Sequence, residues 1–70
     1  MATRDERIAE LRTTITTMQT QITQREDYSS QMWTSLNSEQ RTLNALYADG
    51  YLSDLKDELS YRAYFANRLA

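Results

Sequence analysis

From Ile8 to Leu46 one seven-residue rhythm constrains the fold more than anything else in the chain. Residues Ile8, Leu11, Ile15, Met18, Ile22, Arg25, Ser29, Met32, Leu36, Glu39, Leu43 and Leu46 follow alternating steps of three and four. Nine of these twelve positions are apolar, and neither Pro nor Gly interrupts them. That spacing is the mark of a helix burying a narrow stripe against another helix. It predicts an all-α chain and identifies helix–helix contact as its mode of interaction.

The size sharpens the point. A chain of 70 residues is one small domain that buries only about 60% of its unfolded surface, so it ordinarily needs a staple. The chain has no Cys and no His, which removes disulfides, thiolate chemistry and nearly every structural zinc site. Oligomerisation or docking on a larger partner remains.

Local signals predict the element boundaries. Thr3, with Glu6 three residues on, reads as a capping box that opens the first helix, and Asp5 and Glu6 suit the positive end of its dipole. Gly50, the only Gly of the chain, is expected as a left-handed C′ residue after the last periodic position. Tyr51 would pack back on Leu46, and Ser53 would cap a second helix. The expected fold is therefore a single unit over residues 1–70. It has a long amphipathic coiled-coil helix over about 3–49, a tight Gly turn at 50–52 and a short helix over about 53–69, folded back as a helical hairpin. At 1.5 Å per residue the first helix would be roughly 70 Å long and the second about 24 Å. Ile8, Leu11, Ile15, Met18 and Ile22 would then face water, more apolar surface than a soluble monomer normally shows, and a partner would have to cover them. In a competing arrangement Asp27–Ser30 forms a turn in a compact three-helix chain, with Ser38-Glu39 as a further possible restart. The unchanged heptad phase across Ser29 and the lack of Gly or Pro there argue against it.

The composition of the helices adds detail. Thr is dense between Thr13 and Thr23, where β-branching lowers helix propensity, so this stretch is expected to fray without a partner. Arg25 and Ser29 interrupt the seam, either as a solvated stretch or as a buried polar layer that fixes register. On the second helix Leu52, Leu55, Leu59, Ala66 and Leu69 share one arc, with Ala63 at its edge. Tyr61 and Tyr64 project from the opposite face, and Glu58 is placed to pair with Arg62 four residues on. Exposed Tyr either covers hairpin ends or forms a contact patch. Trp33 either joins the hairpin core or anchors a partner.

Catalysis has no foundation here. Without His or Cys, a general base would have to be a carboxylate or Lys56, and a helix surface offers no pocket to shift their pKa values. No metal, cofactor or small-molecule site is expected. Glu6 and Glu10 lack the His partner that a di-metal helix needs, and a single Gly cannot build a phosphate loop. The net charge is −2 and the seven Arg residues form no stripe, which opposes nucleic acid as a partner. No apolar run approaches a membrane span, the Thr- and Gln-rich polar face opposes membrane-surface binding, and residues 1–6 contain no apolar signal-peptide core. A location in the cytoplasm or inside an assembly is expected.

The sequence thus points to a non-catalytic structural protein that self-associates or docks as a small subunit of a larger complex, such as a virion. Its expected protein interface comprises Ile8, Leu11, Ile15, Met18, Ile22, Trp33, Tyr61 and Tyr64. The alternative is a small acidic inhibitor or regulator that grips one protein target through Trp33, Tyr61 and Tyr64.

Overall fold

A computed structural model describes residues 2–34 and 37–70. Two helices, α1 (Arg4–Trp33) and α2 (Ser38–Leu69), account for nearly all of them. They pack side by side as an antiparallel hairpin of 52 × 17 × 14 Å. The direction follows from cross-helix pairs: the Arg4 guanidinium donates to the Leu69 carbonyl at one end, and Ser29 donates to Asp49 near the other. Antiparallel packing also sets the positive end of each helix dipole beside the negative end of its neighbour.

Both helices start with the chemistry their first residues supply. Thr3 is the N-cap of α1, its Oγ1 accepting from the Glu6 amide at 3.2 Å. Asn37 caps α2, its side chain accepting from the Gln40 amide at 3.0 Å. The Thr-rich stretch is fully helical. Thr13, Thr14, Thr16, Thr17, Thr20 and Thr23 each donate their hydroxyl to the carbonyl four residues back, at 3.0–3.2 Å. The hydroxyls are thereby satisfied within α1 and demand nothing of a neighbour.

The hairpin architecture is as the sequence implies, but the position of its turn is a correction. The first helix does not run to residue 49. It ends at Trp33, where the Thr34 amide and hydroxyl both turn back to the Gln31 carbonyl, at 3.2 and 2.9 Å. The chain re-enters a helix at Ser38, the restart signal in the sequence, after a connection of the length usual for helical hairpins. Gly50 is therefore not a C′ residue and Ser53 is not a cap. Gly50 lies inside α2 with no positive φ. The two helices are of nearly equal length, 30 and 32 residues, and the expected mismatch between a long and a short helix disappears.

The phase of the seam changes with the turn. On α1 the inward positions are Ile8, Leu11, Ile15, Met18, Ile22, Arg25, Ser29 and Met32, as the heptad reads, and all of them are buried or half-buried. On α2 the inward positions are Arg41, Ala45, Ala48, Leu52, Leu55, Leu59, Arg62, Ala66 and Leu69. This is an unbroken second heptad, two residues out of phase with a continuation of the first. Leu43 and Leu46, expected inside, are 53% and 59% exposed. Leu36, expected on the same stripe, lies outside the described residues.

Candidate protein interface

The expected interface residues divide between two places. Ile8, Leu11, Ile15, Met18 and Ile22 do not form an open stripe. They constitute the α1 side of the intramolecular seam, with Met18 and Ile22 buried and the other three half-buried. The reason is the early turn, which gives α2 the length to cover them. Trp33 stands at the loop end of α1, 45% exposed. Tyr61 and Tyr64 lie on the outward face of α2, 67% and 53% exposed. The structure therefore separates the aliphatic set from the aromatic one.

The seam itself is thin. The buried apolar residues among those described are Met18, Ile22, Ala45 and Ala48, and no large side chain is fully buried. Toward the loop it turns polar. Ser29 is buried and donates its hydroxyl to the Asp49 carboxylate, and the neighbouring seam positions on α2 are Ala45 and Ala48. Small residues on both sides let the backbones approach closely. Among the described residues Arg25 makes no ion pair with a carboxylate. Its guanidinium lies 4.2 Å from the Tyr51 ring centroid and 6.0 Å from that of Tyr28, a cation–π arrangement that satisfies a half-buried charge beside the seam. Arg25 and Ser29 thus form a polar layer linking the two helices, with Ser29 buried and Arg25 half-buried. Elsewhere Lys56 meets Glu26 across the helices at 3.7 Å, and Glu58 accepts from Arg62 at 2.9 Å, the pair expected from the sequence.

The outer surface is where large apolar groups collect. Tyr28, Trp33, Leu43, Leu46, Tyr47 and Tyr51 are exposed toward the loop end, and Tyr61, Tyr64 and Phe65 toward the chain termini. Most of them lie on α2. The terminal group is ordered internally, with Phe65 edge-on to Tyr61 at 5.1 Å and to Tyr64 at 5.8 Å between centroids. Arg68 holds Tyr64 from the other side, donating to its hydroxyl at 2.8 Å. Such a cluster offers area whose side-chain entropy is already partly spent.

Leu43 and Leu46, which the heptad places in the hairpin interior, are interface candidates, and so is Tyr47 beside them. The signal that could have found them is the small-residue heptad through Ala45, Ala48 and Ala66, which turns these larger side chains outward. Among the described residues, no group of three or more Asp or Glu side chains could hold a metal ion, and no helix is long and apolar enough to cross a membrane. Comparisons with protein-family models, curated proteins and solved structures return no match.

Proposed function

We propose that this chain is a non-catalytic assembly element, a preformed helical hairpin that works through helix–helix contact as a small subunit of a larger protein complex. The observation that carries the reading is the imbalance between core and surface. The hairpin exposes 5467 Å², against about 4,500 Å² for a compact monomer of its mass. The excess, about 1,000 Å², is comparable to the roughly 800 Å² each partner hides in a standard interface. Among the described residues nine large hydrophobic side chains stand exposed while four apolar residues are buried. That distribution suits a component whose folding is completed by a neighbour.

Mass action provides the test. If a neighbour completes the fold, the thermal midpoint of the purified chain rises with its own concentration or on adding the protein it assembles with. A sharp, concentration-independent transition above about 65 °C, the upper end for ordinary mesophilic domains, together with a monomeric mass by sedimentation, would show a self-sufficient hairpin and defeat the proposal.

A further inference from the structure

A second stripe at heptad spacing runs down the exposed side of α2: Leu43, Tyr47, Gly50, Asp54, Asp57, Tyr61 and Tyr64; at its ends Tyr47 also borders a hollow with Arg25 and Tyr28 of α1, and Tyr61 one with Leu11. Every one of these residues is exposed. The steps of four and three match those of the inward seam, so the stripe has the geometry that receives a further helix. Its chemistry is banded: apolar at both ends, with two carboxylates in the middle.

Gly50 distinguishes this stripe from an ordinary solvated face. Its backbone is helical without positive φ, and a Cβ built on it would meet nothing within 4 Å. Nothing in the hairpin calls for glycine there, and glycine is the worst helix former after proline. A missing side chain at the centre of an outward stripe fits the close approach of another backbone. The acids beside it point the same way. Lys56 is engaged with Glu26 and Arg62 with Glu58, whereas Asp54 and Asp57 form no ion pair or hydrogen bond within the described residues. A second copy of this chain laid antiparallel along the whole stripe would set Asp54 against its own copy, with Asp57 opposite Gly50, and a parallel one would set each acid against itself. Like charges directly opposed across a contact disfavour both arrangements.

We propose that the outer stripe of α2 docks a helix of a different protein, one that presents Lys or Arg at the centre of its contact face and apolar side chains at both ends. The partner backbone passes closest at Gly50, its cations meet Asp54 and Asp57, and its apolar ends pack on Leu43 and Tyr47 at one end and on the Tyr61–Tyr64–Phe65 cluster at the other. This deepens the assembly reading above and rests on it.

The test uses the full 70-residue chain and two synthetic helical peptides of about 21 residues, three heptads of contact. Both carry Leu at the outer contact positions; one has Lys at the two central positions and its twin has Glu. Binding is followed by fluorescence anisotropy at low salt. The Lys peptide is expected to bind at least about tenfold tighter than the Glu peptide, the scale of two ion pairs gained against two repulsions. The double variant Asp54→Lys/Asp57→Lys should reverse that preference. Gly50→Leu should raise the thermal midpoint of the free chain and weaken the Lys peptide at least about tenfold. Equal affinity for the two peptides, binding of neither, or undiminished binding by Gly50→Leu overturns the proposal. Sedimentation of the chain alone separates this failure from that of the parent reading. A homodimer dissociated by Tyr47→Ala/Tyr61→Ala would give the stripe to a second copy, overturning this inference and leaving the assembly role standing.

Discussion

Replacing Gly50 with Ala decides where the hairpin turns, because the two possible positions predict opposite signs. In the structure Gly50 is an interior residue of α2 with no positive φ and open space where a Cβ would stand. Alanine there removes backbone freedom from the unfolded chain and adds no clash, which stabilises by about 0.5–1 kcal/mol. For a chain of this length, about 4–8 °C accompanies each kcal/mol, so the midpoint should rise by roughly 2–8 °C. Were Gly50 instead the left-handed residue of a tight turn, a Cβ would cost about 1–2 kcal/mol and the midpoint would fall by a similar or larger amount. Circular dichroism at 222 nm through a thermal ramp, with wild type and Gly50→Ala at one matched concentration, gives the answer. A fall of several degrees would refute the placement of the turn between Trp33 and Ser38, and with it the seam phase on α2.

Other perturbations test the remaining parts of the hairpin. Ile22→Ala, at a site only 7% exposed, should cost about 2–3 kcal/mol in urea unfolding, the low end for a buried aliphatic because the thin seam can partly close; a loss below about 0.5 kcal/mol would mean that Ile22 is not in the core. Asn37→Ala should cost about 1 kcal/mol and Asn37→Gly only a few tenths, since glycine is itself a favourable N-cap residue and alanine is not; equal effects would show that the Asn37–Gln40 bond does not cap α2. Ser29→Leu should destabilise by about 1–3 kcal/mol by overpacking against the small residues of α2, with Ser29→Ala much milder, and thermal unfolding that ranked them the other way would remove the close approach at that layer. Lys56→Ala should change stability by less than about 0.5 kcal/mol, because the 3.7 Å pair with Glu26 is half-exposed at both ends, and a larger change that vanished in high salt would assign that pair a role its exposure does not support.

Much of the architecture was legible because helix caps and heptads are local. Thr3 and Glu6 mark the start of α1, and the steps from Ile8 to Met32 give its inward face residue by residue. The arc of Leu52, Leu55, Leu59, Ala66 and Leu69 gives most of the α2 face. The turn was signalled only weakly, by the possible restart at Ser38-Glu39, for two physical reasons. It is made by Thr34 and Asn37, whose side chains bond the backbone, and it needs neither Gly nor Pro. Gly50 supplied a false signal, since glycine inside a helix and glycine ending one look alike in sequence.

The phase error follows from the same cause and reaches the candidate interface. Apolar size misleads where a seam is built from small residues: Ala45 and Ala48 are buried at 0% and 4% exposure while Leu46 and Tyr47 between them stand out at 59% and 79%. In a large core the bigger side chains take the inside because burial rewards their area. Here buried Ser29, bonded across the helices to Asp49, shares its layer with the buried alanines, and a leucine on that side would overpack it. The inward face is thus taken by the small residues, and the larger ones stand on the outside, exposed among the described residues. Close packing within the hairpin and an apolar, banded outer stripe on α2 are consequences of one arrangement, which is why a helix that hides alanines is also the one with most to offer a neighbour.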